Sequence, residues 1–200
     1  MSDHDPALRR AMATVALLNL GYFGIEFAVA TTIDSVSLFA DSIDFLEDAS
    51  LNGLALLAMG WSATARSRVG VGLAFILLAP GLATAWTAYN QFLAMTVPAA
   101  VPLTITGLGA LAVNLGCALM LARFKNAGGS LTKAVYLSAR NDAFANVAII
   151  AAGVFTAATA SHWPDLLVGI GIFLMNLDAA HEVYAAARQE QQDRAAAARS

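Results

Sequence analysis

Charge is what this sequence has least of. Lys, Arg, Asp and Glu make up 12% of its 200 residues, half of the roughly 25% usual in soluble domains. That shortage argues against a soluble enzyme, a nucleic-acid binder and a disordered chain. With 11 Lys and Arg against 14 Asp and Glu the net charge is −3, so no basic surface invites nucleic acid. Cysteine occurs once, at Cys117 inside an apolar run, which leaves neither a disulfide framework nor a thiolate metal site. Histidine is confined to His4, His162 and His181, so there is no His-rich metal loop.

What is abundant is apolar. Hydrophobic residues are 58% of the chain and mean hydropathy is +0.65. They come in long runs rather than amphipathic stripes. A bilayer core of about 30 Å takes roughly 20 apolar residues per helix. Six segments meet that length, at about 11–31, 36–61, 69–94, 99–122, 131–160 and 165–187. The breaks between them are short: TTIDS, SATARSR, MTVPAA, RFKNAGGS and SHWPD. The expected fold is an all-α membrane protein, a six-helix transmembrane bundle over residues 1–188 with a polar tail at 189–200 and no soluble C-terminal domain.

Basic residues collect on the cytoplasmic side of a membrane. Arg9, Arg10, Arg66, Arg68, Arg123, Lys125, Lys133, Arg188, Arg194 and Arg199 all fall on one side of a six-span chain, and the opposite loops hold no Lys or Arg. Both termini are therefore expected in the cytoplasm. Arg9–Arg10, the following apolar run and Ala28-Val29-Ala30 also resemble a cleaved signal peptide. Against cleavage stand the length of the run and its Asn19, Tyr22 and Glu26, which share one helical face at i, i+3 and i+7.

The polar residues inside these segments are costly. An ionisable side chain at the centre of a spanning helix costs about 2.5–3.5 kcal/mol on insertion scales. Helix 2 nevertheless carries Asp41, Asp44, Glu47 and Asp48 within eight residues. Asp44 and Asp48 lie about 40° apart round the helix, Asp41 flanks them, and Glu47 turns somewhat away. Glu26 in helix 1, Asp142 in helix 5 and Asp178 in helix 6 add to the set. A single buried acid can cap a helix or serve a neighbouring one. Two carboxylates one turn apart repel unless a cation or shared protons lie between them.

Helices 2 and 5 echo each other. Asp44-x3-Asp48-x3-Asn52 and Ser138-x3-Asp142-x3-Asn146 each place oxygen-bearing side chains on successive turns of one face. Across a bundle they would present four or more oxygens to one ion. Such oxygens suit divalent cations like Mg²⁺, Mn²⁺ and Fe²⁺, whereas thiolate and imidazole would have pointed to Zn²⁺. Packed acids at low dielectric cannot all ionise, so the cluster would hold protons when no metal is present. Asn141 sits about 100° round from Asp142 and is expected to face elsewhere. Arg140, about 200° from Asp142, should point away from any cation. Gly169-x-Gly171 and Gly70-x-Gly72 permit close helix approach, and Pro80-Gly81 should kink helix 3.

The stretch SVSLFADSIDFLEDASLNGLAL (35–56), with Asn19, Tyr22 and Glu26 before it, resembles the first two helices of the cation diffusion facilitators. YLSARNDAFANVAIIAAG (136–153) resembles their fifth. The resemblance extends over the whole chain. It implies a secondary transporter that exports a divalent cation of the Zn/Co/Cd/Fe/Mn class, commonly against protons, and no enzymatic activity or cofactor. It also implies a metal site of Asp44, Asp48, Ser138 and Asp142, where the family often has His or Asp in place of Ser138. Serine is a weak neutral ligand, so Asn141, Asn146 or water would complete the shell, with Asp41, Glu47 and Glu26 as further ligands or proton carriers. The family's cytoplasmic domain, which usually holds a homodimer, has no counterpart here. The partners expected are the metal ion, protons and the bilayer, with a bacterial inner membrane as the default location. Two rival readings are a regulatory membrane subunit and a membrane-embedded aspartyl hydrolase. The second lacks the Asp motif with a nearby Gly that it would need.

Overall fold

The computed structural model describes residues 6–57, 82–122, 124 and 129–177, without the side chains of residue 55 and residues 129–139. Among these residues every regular element is a helix: α1 Pro6–Ile33, α2 Val36–Leu57, α3 82–94, α4 Ala100–Ala122, α5 Gly129–Thr159 and α6 Trp163–Leu177. The helices at 28, 22, 23 and 31 residues for α1, α2, α4 and α5 reach about 30 Å or more at 1.5 Å per residue. Three stretches within the described residues are both long and apolar enough to cross a membrane: Pro6–Ile33, Ala100–Ala122 and Arg140–Thr159. α2 has the length, but its four acids lower its hydropathy. The glycine pair at 70–72, the expected kink at Pro80-Gly81, and Asp178 with the tail all lie outside the described residues.

The three described turns fall where the polar breaks of the sequence put them. Each follows a helix that ends on a residue of positive φ: Asp34 (54°) after α1, Met95 (52°) after α3 and Ala160 (47°) after α5. The left-handed residue lets the chain reverse while backbone N–H groups still reach the last helical carbonyls. Ser35 N donates to Ala30 O, Met95 N to Gln91 O and Ala160 N to Thr156 O. All three turns gather at one end of the bundle. Gln91, from the last turn of α3, donates there to both Asp34 O and Asp165 Oδ2.

Burial runs opposite to that of a soluble bundle. On α1, Asn19 and Glu26 are 0% exposed while Leu17 and Leu20 are 70% and 51% exposed. The apolar face thus points outward, where lipid would take it, and the polar stripe points inward. α1 packs mainly on α2 and α4 mainly on α5, with thinner seams between α1 and α4 and between α2 and α5. Two apolar clusters close the interior. One joins Leu8, Met12 and Val15 of α1 to Cys117 and Leu121 of α4. The other joins Ala30, Leu38, Ile43, Leu103, Ile149 and Ile172 near the turn end. The polar residues lie between and beside them.

Small residues permit these approaches. A Cβ on Gly169 of α6 would meet the backbone of Val36 and Ser37 at 2.7 and 2.8 Å, so α6 crosses the start of α2 backbone to backbone. Gly171 has nothing within 4 Å and leaves that role to Gly169. Gly109 of α4 faces the ring of Tyr22, whose hydroxyl donates to Thr106 O at 2.6 Å.

Candidate metal centre

α2 is acidic on the face that it turns inward. Asp41, Asp44 and Asp48 are all buried, while Glu47 is only partly so. Their spacings of three, four and seven residues keep the three aspartates within one stripe of the helix. α5 runs antiparallel to α2 and brings two residues to that stripe. Asp142, half-buried, lies near enough to Asp44 and Asp48 for their charges to repel. One turn towards the bundle's turn end, Asn146 is fully buried and donates its amide to Asp41 Oδ2 at 2.5 Å.

The other helices complete the surroundings. Glu26 of α1 is fully buried near Asp41, and neither of its carboxyl oxygens has a hydrogen-bond partner. Asn114 of α4 donates to Asn146 Oδ1 at 2.9 Å and so fixes the way that amide points. Asn176 of α6 donates to Asp44 Oδ1. Asn52 donates back to Asp48 O at 2.9 Å, a bond within its own helix. The S–H of Cys117 lies 4.0 Å from Asn19 Oδ1. The interior is therefore a set of paired oxygens. Among the described residues no three His, Cys, Asp or Glu side chains close on a single point.

The residues singled out from the sequence divide accordingly. Asp44 and Asp48 are buried on α2 and Asp142 is half-buried on α5 without the three closing on one point, and the side chain of Ser138 lies outside the described set. Asn146 joins Asp41 rather than Asp142, because the antiparallel pairing sets it one turn further along. Asn141 does not reach the interior. It is exposed and accepts from Arg140, itself exposed, at 3.4 Å. The guanidinium thus points away from Asp142, as its angular offset requires.

Four residues escaped the reading of the sequence. Asn114 and Asn176 are single amides in apolar helices, and an amide surrounded by Leu, Val and Met is the signal that would have found them. Asp165 and Gln91 were passed over as residues beside a break. In the fold the fully buried Asp165 carboxylate accepts Ser35 Oγ (2.7 Å), Val36 N (2.8 Å), Ser37 N (3.3 Å), Ser37 Oγ (2.5 Å) and Gln91 Nε2 (3.0 Å). It caps the N-terminus of α2, whose first N–H groups have no helical acceptor, and Ser35 Oγ takes Leu38 N at 3.2 Å beside it.

Carboxylate and amide oxygens without thiolate or imidazole form a donor set for hard and borderline divalent cations. A buried ionisable cluster within apolar helices marks an ion pathway in membrane proteins generally. The comparisons with known proteins agree in kind. No curated protein matches the sequence. The family model described as the cation efflux transmembrane domain matches residues 12–189. That match spans nearly the whole chain, so the protein belongs to the cation efflux family of metal-cation transporters, built on that family's transmembrane domain.

Proposed function

We propose that this protein exports a divalent metal cation from the cytoplasm in exchange for protons, at a site made of Asp44, Asp48 and Asp142. The observation that carries this reading is the burial of Asp44 and Asp48 on one face of α2 inside the apolar bundle, with Asp142 of α5 near enough for the charges to interact. Carboxyls so placed stay together only with a proton or a cation between them. Entry of a metal ion displaces such protons, and a returning proton displaces the metal. The hydroxyl of Ser138 or water fills the remaining coordination positions. The amide of Asn176, which occupies Asp44 here, swings aside as the ion binds.

The bundle alternates by rocking of helices about this central site. With basic residues on the cytoplasmic side, the end where the three turns gather is external. Residues 36–45 of α2 are buried without interruption, whereas 46, 47, 49, 50 and 51 are partly or fully exposed. That gradient suits a conformation closed to the outside. A bacterial inner membrane is the setting in which such an exporter would work.

Flux in proteoliposomes tests the reading. With a pH gradient imposed, Mn²⁺, Fe²⁺, Co²⁺, Zn²⁺ and Cd²⁺ are offered separately. Wild-type protein should move at least one, and Asp48→Ala and the Asp44→Asn/Asp48→Asn pair should move none while still inserting normally. Flux retained in Asp48→Ala would remove that residue from the site. Wild-type protein that moves no ion would overturn transport itself.

A further inference from the structure

We propose that Asp165 is a positioning residue for the cation site. By holding the start of α2 from α6 it fixes one helix lengthwise against the other. That sets Asn176 at Asp44 and tunes the choice among divalent cations. The inference rests on the transport reading above and deepens it.

Asp165 does more than an N-cap requires. α2 already has a local cap, because Ser35 Oγ accepts Leu38 N at 3.2 Å, three residues on, as a capping serine does. Val36 N and Ser37 N nevertheless turn to a carboxylate 129 and 128 residues further along the chain, at 2.8 and 3.3 Å. The hydroxyls of Ser35 and Ser37 both donate to its Oδ1, and Gln91 Nε2 donates to Oδ2. With both oxygens engaged and the residue fully buried, the carboxylate has one orientation. A local cap settles the end of one helix. A cap lent by another helix also settles where that helix lies.

A second grip lies further along the same two helices. α2 and α6 both start at the turn end and run in the same direction. Gly169 brings their backbones together, with a Cβ there only 2.7 and 2.8 Å from Val36 C and Ser37 N. Ile172 then joins Leu38 and Ile43 in one apolar cluster. Asn176 follows, and its amide donates to Asp44 Oδ1. From Asp165 to Asn176 the helix rises about 16 Å, and from Ser37 to Asp44 about 10 Å.

The two grips differ in strength, and the difference assigns their roles. Contacts such as those at Ile172 are non-directional and set no register. Hydrogen bonds do, because they weaken steeply off line. Four of them, from Ser35, Val36 and Ser37, hold α6 against sliding over α2, whereas a single amide reaches Asp44. A binding constellation needs its members within about 0.5 Å of their working positions. A slide by one residue is about 1.5 Å, enough to take the Asn176 amide off Asp44. Once a cation displaces that amide from Asp44, its oxygen is at hand as a further ligand. Mn²⁺ takes an octahedron of oxygens and Zn²⁺ usually four ligands, so an amide in place favours the first over the second.

Calorimetry on purified protein gives the ratio of Mn²⁺ to Zn²⁺ affinity without any flux. Asn176→Ala should lower that ratio about threefold or more, as expected for groups in contact. Asp165→Asn should lower it equally, although it touches no ligand, and the double variant should fall no further than Asn176→Ala alone. A purely structural Asp165 would lower the melting temperature and leave the ratio of the folded protein unchanged. That result, or additive effects in the double variant, overturns the proposal. Should Asp165→Asn not fold, Gly169→Ala applies the same test, since its Cβ must push α6 off the backbone of α2. Gln91→Ala is the control: it removes a donor that comes from α3 and should keep the ratio. A drop equal to that of Asp165→Asn would overturn the role assigned to Asp165. A second readout needs no metal. In a Cys117→Ala background, a short bifunctional thiol reagent should join Asp44→Cys to Asn176→Cys, and adding Asp165→Asn should slow the joining several-fold. An unchanged rate overturns the proposal. Wild type that binds neither cation overturns the proposal and the site together. Binding without flux in proteoliposomes would defeat the transport reading alone.

Discussion

At the scale of single residues, the interior is governed by amides that aim carboxyls. Asn146 works in both directions at once, giving its N–H to Asp41 and taking one from Asn114. An amide with both ends engaged has one orientation. Asn114→Leu should release it, leaving a buried carbonyl oxygen without its donor. Hydrogen bonds between membrane helices are worth about 0.6 kcal/mol on average and up to about 1.7 kcal/mol, so the loss should be near the upper figure at this buried position. Thermal unfolding in detergent would measure it, and an unchanged melting temperature would count against the network. Asn176 is a different case, because its partner Asp44 is a ligand of the proposed metal site. Asn176→Ala should leave stability almost unchanged and shift the order of preference among divalent cations in the flux assay. An unchanged order would show that the amide is not at the ion.

At the scale of elements, the turn end is held by one carboxylate. Asp165 ties the α1–α2 turn, the end of α3 and the start of α6 to each other, and it satisfies the first two N–H groups of α2. Negative charge at a helix N-terminus is further favoured by the helix dipole. Removing it leaves several buried donors unmet at about 1–3 kcal/mol each. Asp165→Ala should therefore loosen the turn end first. A cysteine at Ser37, buried in the described form, should be protected from a membrane-impermeant thiol reagent in the parent and become reactive in Asp165→Ala. Equal protection in both would mean that the apolar packing at Gly169 and Val36 suffices alone. Gly169→Leu offers the complementary test. Its side chain has backbone, not a flexible side chain, in its way, so the helices must separate and folded yield should fall sharply.

At the scale of the whole molecule, charge and polarity are sorted by depth. Outward faces of the described helices are apolar, and Glu26, Asp41, Asp44 and Asp48 lie buried inside the bundle. In the proposed exchange, protons and the cation compete for the same region. Metal affinity, measured by calorimetry on purified protein, should weaken steadily as pH falls, because carboxyls that must release protons to bind are held protonated at lower pH. An affinity independent of pH would contradict exchange.

Much of this was legible along the chain because a bilayer demands it. Long apolar runs are helices where no water can satisfy a backbone, and three of the described turns fall at the breaks that polar residues marked. The acids of helices 2 and 5 declared themselves by their cost, since a carboxyl within such a run persists only if it has a use. Periodicity alone also put Arg140 and Asn141 off the face of Asp142. Partners were another matter. That Asn146 serves Asp41 rather than Asp142, that Asn114 and Asn176 reach the acids, and that Asp165 caps α2 depend on the register and crossing of helices far apart in sequence. Spacing along one helix defines a face, whereas only the packing of several decides what each face meets.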